Sequence, residues 1–183
     1  DSQKAYELLS PECKEVYYPT YEVFYNNYFM NLFSENKTYT YQLWANTGEY
    51  VFIVKIMDNA IDTGKISDEI AQDYITVVRE NNKYLININS YINRENIDRE
   101  YKINDNISIT IKYLDQYMDN SICTYQVKNR SDKNIRLNAE SDAMYLLDQD
   151  NVRHKSYTNE IEETNLLINA NTVKTVQIPY NNA

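Results

Sequence analysis

The single histidine, His154, carries the side chain best suited to acid–base chemistry near neutral pH. It lies between Arg153 and Lys155, just after a predicted turn. No serine or cysteine stands at a spacing typical of a nucleophile that pairs with a histidine base. One histidine also excludes any mechanism that needs two. We therefore interpret His154 as a surface residue rather than a general base.

Four acidic residues cluster between positions 58 and 69, and two carboxyl groups that share a cleft can divide acid and base work. The spacing of this cluster matches no EF-hand calcium loop, so we predict a solvated acidic loop. Asp148 and Asp150 are explained in the same way by a hairpin turn. A hydrolase that uses two carboxylates, Asp73 among them, remains the alternative. The four clustered residues are Asp58, Asp62, Asp68 and Glu69.

Cys13 and Cys123, the only cysteines, are separated by 110 positions and form no CxxC pair. Together with His154 they supply three ligands, whereas a structural zinc site takes about four. Two glycines are too few for a phosphate-binding loop. We therefore predict no metal site, no cofactor and no catalytic residue. Cys123 alternates with Tyr125 and Val127, which favours a buried, inert thiol, and we predict no disulfide to Cys13.

Aromatic side chains supply possible contact surfaces. One helical stripe follows the spacing i, i+3, i+4, i+7, i+8, i+11, which favours core packing against a sheet over the walls of a ligand cavity. Trp44, the one tryptophan, lies on a predicted strand and faces away from Tyr39, Tyr41 and Leu43. It marks a partner site unless a neighbouring domain, or a first helix expected upstream of residue 1, covers it. The candidate partner or cavity surface is therefore Trp44, Tyr21, Tyr25 and Tyr28. The stripe comprises Tyr21, Phe24, Tyr25, Tyr28, Phe29 and Leu32.

The elements that would position these residues change type along the chain. Ser10 and Thr20 are predicted N-caps of helices, and Pro11 suits a first helical position. From residue 38 the period becomes two, with strands predicted over 38–45, 51–57, 74–79 and 83–89. The apolar run 51–57 indicates a central strand covered on both faces.

Residues 89–102 are polar and weakly periodic, so we place a domain boundary near residue 100. Beyond it, short strands and turn signals every 8–15 residues are typical of an antiparallel sandwich. The predicted domains are residues 1–98 and residues 99–183. The expected fold class is α+β followed by all-β.

The composition and net charge of the chain limit the classes of partner that it can bind. The chain has 183 residues, 43% of them hydrophobic, and a net charge of −9. This charge disfavours binding to nucleic acid and to anionic lipid, because both rest on Lys and Arg contacts to phosphate. No apolar stretch is long enough to span a bilayer.

Two segments resemble known families. Residues 5–29, with Ala5-Tyr-Glu-Leu-Leu9 and Tyr18-Pro-Thr-Tyr-Glu-Val-Phe24, resemble the helical part of NTF2-like domains of Firmicutes cell-envelope proteins. Residues 101–183 resemble the immunoglobulin-like DUF4352 domain of Gram-positive lipoproteins, through Ile107–Ile111, Tyr125–Asn129, Tyr145–Asp148 and Asn171–Ile178. The resemblance implies helices on a curved antiparallel sheet followed by a β-sandwich. It also implies an extracytoplasmic protein that a segment upstream of residue 1 anchors to the membrane.

These observations favour a non-enzymatic binding or adaptor module of a Gram-positive cell envelope or lipoprotein. Its partner would be another protein or a cell-wall component. The alternative is an NTF2-like pocket that binds a small ligand or performs carboxylate-dependent hydrolysis. Such a pocket needs ionisable groups at the bottom of an apolar cone, and the first half of the chain offers few.

Overall fold

The computed structural model describes residues 1–33, 37–46, 49–58, 64, 71–137, 144–148, 150–157 and 161–181. Two compact units divide the chain, Asp1–Asn93 and Arg94–Ala183. That they match the predicted domains 1–98 and 99–183 as independently folding bodies stays a prediction.

The first unit begins with short helices. The predicted caps are confirmed: Ser10 Oγ accepts from the Cys13 amide at 3.0 Å, and Thr20 Oγ1 accepts from the Val23 amide at 3.4 Å. Pro19 separates the second helix from the third. The helices are α1 (Ser2–Glu7), α2 (Pro11–Tyr17), α3 (Tyr21–Phe24), a π-helical turn (Tyr25–Phe29) and α4 (Met30–Leu32).

An antiparallel sheet in the order β1-β2-β3-β4 follows. Its strands are β1 (Lys37–Asn46), β2 (Tyr50–Asp58), β3 (Ala71–Glu80) and β4 (Lys83–Asn87). The predicted central position of the second strand is confirmed, because β2 lies between β1 and β3 and buries Val51, Ile53 and Ile56. The predicted cover on both faces is incomplete, since Lys55 is exposed. Asn81 and Asn82 both adopt positive φ, which suits the tight turn from β3 to β4.

An antiparallel sheet in the order β12-β7-β6-β5 lies in the second unit, apart from the first three residues of β5. Its strands are β5 (Tyr91–Lys102), β6 (Ile107–Tyr117), β7 (Asn120–Asn129) and β12 (Thr172–Asn181). Two small antiparallel pairs accompany it, β8 (Ile135–Arg136) with β11 (Leu167–Ile168), and β9 (Tyr145–Leu147) with β10 (Arg153–Lys155). One short helix, α5 (Glu163–Leu166), precedes β11.

The core of the second unit is apolar and continuous. It is built from alternate residues of β7 and β12, with Leu166 and Ile168 packed against them. The prediction that Cys123 is buried is confirmed, and burial raises the pKa of its thiol to about 11. Cys13 is buried too, and both cysteines are free thiols. The remaining buried core residues are Tyr125, Val127, Val176, Ile178 and Tyr180.

The expected fold class, α+β of the NTF2-like type followed by an immunoglobulin-like sandwich, is wrong. Strands hold 57% of the described residues and helices 19%, in four helical segments and two antiparallel four-stranded sheets. The physical reason lies in two places. Prolines at 11 and 19 bound α2, which spans 7 residues. The polar run predicted as a boundary is instead part of the 12-residue strand β5.

Candidate functional site

Three of the four predicted site residues lie on the helical stripe, and their rings pack mainly on one another. Tyr25 stacks on Phe29, with ring centroids 6.1 Å apart and planes at 16°. Tyr21 lies 5.8 Å from Tyr25, and its hydroxyl is 2.8 Å from Ser2 Oγ. The faces of these rings are therefore largely used inside the stripe.

Tyr28 is buried and belongs to a polar network beneath the helices. Its hydroxyl donates to Asp73 Oδ2 at 2.6 Å. The same carboxylate accepts from the backbone amides of Asn89 and Ser90 at 3.1 and 3.2 Å. Both turn residues have positive φ, which aims their N–H groups at Asp73. This network fastens the helical stripe to β3.

Asp73 was the described acid most relevant to the hydrolytic alternative. Both of its carboxylate oxygens accept hydrogen bonds inside this network, which leaves it a structural role. The Tyr28 hydroxyl loses water on burial and faces the Asp73 charge, and both effects raise its pKa. Asp62, Asp68, Glu69 and the side chain of Asp58 lie outside the described residues.

Trp44 lies on β1 at a β-bulge. Leu43 pairs with Phe52 and Ala45 with Val51, so Trp44 is the extra residue of the bulged strand. Its ring is 55% exposed and makes an edge contact with Tyr74, 5.7 Å between centroids.

The two faces of β1 are identified by their ring contacts. Tyr41 contacts Phe52, whereas Trp44 contacts Tyr74. Phe52 and Tyr74 lie on opposite faces of the sheet, because β2 and β3 pair Ile53, not Phe52, with Tyr74. The prediction that Trp44 faces away from Tyr41 is therefore confirmed.

Sequence reasoning missed how completely β1 is exposed. Every residue from Thr38 to Trp44 is exposed, and Tyr41 reaches 78%. This exposed strand, with Tyr39, Tyr41 and Leu43 on one face and Trp44 on the other, is hereafter the β1 edge. The sequence did show that β1 holds a single charged residue, Lys37, but the exposure of its apolar residues is visible only in the structure.

Among the described residues, the other three edges of the two four-stranded sheets are protected. The outer edge of β4 is covered by the chain itself, since the Ser10 amide donates to Ile86 O at 3.0 Å and the Ile86 amide to Leu8 O at 2.8 Å. The outer edge of β12 contains Pro179, whose carbonyl accepts from the Tyr157 amide at 2.9 Å. The edge strand β5 carries six charged residues, Arg94, Glu95, Asp98, Arg99, Glu100 and Lys102.

A charged or covered edge resists pairing with another chain, whereas a long, exposed and apolar edge invites it. In the part of the chain that the structure describes, β2 is the only strand that pairs with β1. Within the described residues, no strand pairs with the outer side of β1, and exposed aromatic side chains flank it. This arrangement can bind an added strand.

A second feature is a cleft of about 540 Å³ in the second unit, between the main sheet and the β9–β10 hairpin. His154 lies in its wall, with Nε2 3.0 Å from Asp148 Oδ2 and Nδ1 3.1 Å from the Asn181 carbonyl oxygen. The hydrogen bond from His154 is the main reason why the pKa of Asp148 is lowered. The lining also includes Glu95, Leu114, Gln116, Ser121, Leu146, Leu147 and Tyr180.

The interpretation of His154 as a plain surface residue was therefore incomplete. Its ring is held between a carboxylate and a backbone carbonyl, and both ring nitrogens are occupied. Asp148 also accepts from the amides of Asp150 and Val152 at 2.9 Å, which confirms the predicted turn. The contact to Asn181 joins residues 27 positions apart, so local spacing gave no signal for it.

Among the described residues, no group of three or more His, Cys, Asp or Glu is placed to hold a metal ion. In the same residues, no helix is both long and apolar enough to cross a membrane. No protein-family model, no curated protein and no solved structure matches the chain. The resemblance to the two envelope families stays a prediction.

Proposed function

We propose that this chain is a non-enzymatic binding module that accepts an extended strand of a partner protein along the β1 edge. The observation that carries the proposal is the contrast among the sheet edges: β1 is long, uncharged from Thr38 to Trp44, and exposed throughout that stretch. Strand addition uses main-chain hydrogen bonds for affinity and alternate side chains for specificity.

The pattern of β1 defines the chemistry of the partner. Tyr39, Tyr41 and Leu43 would face apolar side chains of the added strand, and Thr38 and Thr40 would face small polar ones. A partner strand without acidic residues fits best, because the chain carries a net charge of −9.

An extracytoplasmic position in a Gram-positive cell envelope is part of the proposal, and the resemblance of residues 5–29 and 101–183 supports it. An adaptor there positions partners and needs no catalytic group. Protease accessibility of the tagged protein on intact cells of its host measures this directly. Protection of the tag until the cells are lysed would contradict it.

Trp44 provides the readout for strand binding, because it is the one tryptophan and lies on β1. The probe is a peptide of alternating threonine and tyrosine with a lysine at each end. We expect it to change Trp44 fluorescence saturably and to slow hydrogen exchange of the β1 amides. The same peptide with a central proline should do neither, since proline donates no ladder hydrogen bond.

Two variants locate the site. Tyr41→Glu places a charge on the β1 edge and should abolish peptide binding. Tyr84→Glu makes the same change in net charge on β4, at a tyrosine that is 67% exposed, and should leave binding intact. Equal loss in both variants, or binding of the proline peptide, would contradict strand addition at β1.

The cleft beside His154 favours a second candidate, a small-ligand site. Its volume falls in the usual range of about 300–1,000 Å³ for ligand pockets, and it combines leucines with a few polar groups. A fragment screen by NMR tests it, with His154→Gln as the matched variant. Fragments that shift the resonances of Leu146 and Gln116 in the native chain, but not in the His154→Gln variant, would favour this candidate.

A further inference from the structure

We infer that the strand that occupies the β1 edge is β1 of a second copy of this chain, in an antiparallel, two-fold symmetric pair. The inference rests on the proposed function, since it names the partner for the same edge. Its basis is that the side chains of β1 alternate so as to complement a second β1, that the stretch from Thr38 to Trp44 is uncharged, and that the remaining edge of the sheet is already covered.

Side-chain alternation makes β1 its own complement. In an antiparallel pair, residues directly opposite each other point to the same face, so a symmetric register must pair odd positions with odd and even with even. On one face, Tyr39, Tyr41 and Leu43 then lie opposite the same three residues of the second copy. On the other face, the polar residues Thr38, Thr40 and Gln42 lie opposite one another. Every symmetric register preserves this match.

Charge does not oppose the pairing along the strand. Lys37 is the one charged residue of β1 and stands at its first position, so two-fold symmetry sends the two lysines to opposite ends of the paired stretch. No like charges face each other between Thr38 and Trp44. Aromatic and β-branched residues facing across a ladder are also the pairs that stabilise sheets.

The opposite edge of the sheet explains why the assembly closes. Leu8 and Ser10 occupy the outer backbone groups of Ile86 on β4, so a second strand cannot add there without displacing them. Two copies that join β1 to β1 therefore form one eight-stranded sheet, with the covered β4 at both ends. Such an isologous contact yields a dimer rather than a filament.

Long-range electrostatics set the conditions for pairing. Each copy carries a net charge of −9, so two copies repel at low ionic strength, and added salt screens this repulsion. A single strand pair is a small interface, and we expect a dissociation constant in the micromolar range. Pairing through β1 should become several-fold tighter as salt rises, whereas pairing through ion pairs would weaken.

Sedimentation equilibrium from micromolar to millimolar protein, at low and at moderate salt, tests the inference. We expect a monomer–dimer equilibrium that salt strengthens, that Tyr41→Glu weakens at least tenfold and that Tyr84→Glu preserves. The two variants have the same net charge, so a difference between them reports position alone. A dimer that both variants retain equally would place the interface elsewhere and overturn the inference.

Hydrogen exchange of the unmodified chain gives a second measurement that does not depend on variant folding. Protection of the amides of residues 38–43 should rise with protein concentration, and protection of β4 should not. A chain that stays monomeric at all concentrations while the threonine–tyrosine peptide still binds β1 overturns self-pairing and leaves the proposed function standing. Absence of both dimer and peptide binding contradicts both.

Discussion

The two exposed edge strands, β1 and β5, are of similar length and have opposite chemistry. β5 carries six charged residues in twelve, and β1 carries one in ten. Charge along an edge keeps other strands away, because a pairing chain would have to bury or oppose it. The comparison teaches that sheet edges in one small protein can be protected individually, and that the unprotected edge is the one to examine for function.

The two sheets also differ in how they hold a buried carboxylate. In the first unit, Asp73 accepts from a tyrosine hydroxyl and two backbone amides. In the second, Asp115 on β6 accepts from Arg94 Nε and Nη2 at 2.7 and 3.0 Å, and the guanidinium lies 3.8 Å above the Tyr113 ring. The β5 edge is thus joined to β6 by a charge pair.

The largest effect should come from Asp115→Asn. The Arg94–Asp115 pair is buried, with side chains 8% and 4% exposed, and the variant removes the carboxylate charge that faces the buried guanidinium. Breaking such a pair costs about 3–5 kcal/mol, which urea unfolding measures as a lower midpoint.

Asp98→Asn is the control, since Asp98 pairs with Lys112 between the same strands but is 72% exposed. We expect it to change stability by less than about 1 kcal/mol. Equal losses would show that burial does not distinguish the two pairs.

Tyr28→Phe should have the next largest effect. It removes the hydroxyl that donates to Asp73 and leaves the ring stack with Phe24 in place. A hydrogen bond to a charged group contributes about 1.5–3 kcal/mol, so urea unfolding should show a loss of that size. Tyr25→Phe keeps the same ring chemistry on the half-buried side of the stripe and should be close to neutral. A neutral Tyr28→Phe would mean that the two backbone amides suffice for Asp73.

Removing charge from β5 should allow the chain to associate through this edge strand as well. The double variant Asp98→Asn with Arg99→Thr keeps the net charge at −9 and retains at position 98 a residue that tolerates its φ of +45°. Light scattering measured against protein concentration should show association several-fold stronger than in the parent chain. This corresponds to a gain of less than about 1.4 kcal/mol in the free energy of association. Unchanged scattering would argue that the charges of β5 are not what protects it.

The smallest effects are pH-dependent and opposite in sign. Hydrogen bonding from Ser108, together with Lys128, lowers the pKa of Glu100 on β5. Its stabilising contribution is present above the unfolded pKa and is lost as pH falls through the lower folded pKa. Burial and the neighbouring Glu12 raise the pKa of Glu80 on β3, so its ionised form opposes folding and stability rises as pH falls through that higher folded pKa.

Glu100→Gln should therefore flatten the loss of stability in acid, and Glu80→Gln should stabilise slightly at neutral pH. Both groups are largely solvated, so solvent screening keeps each change in stability small. Urea unfolding between about pH 3 and pH 7 measures both, because ordinary carboxyl groups titrate inside that window. Changes of the same sign would contradict the two causes.

Local features were predictable from the sequence because they depend on neighbours along the chain. The caps at Ser10 and Thr20, the Asn81-Asn82 turn and the buried run of β2 each rest on a short pattern with a direct physical cause. The burial of Cys123 followed from simple alternation. None of these needed knowledge of which segments meet.

Tertiary structure decided the rest, because edge position, burial and partner choice depend on segments far apart in sequence. Only the strand order makes β1 an edge, and only the distant segment Leu8–Ser10 covers β4. The three donors to Asp73 lie at least 16 positions away in sequence, so no local pattern predicts them. The strand β5 was read as a polar linker because its many charged residues remove the alternation of apolar and polar residues. Alternation in the sequence fixes which residues share a face of a strand, whereas the chain's distant contacts fix which faces and edges meet water.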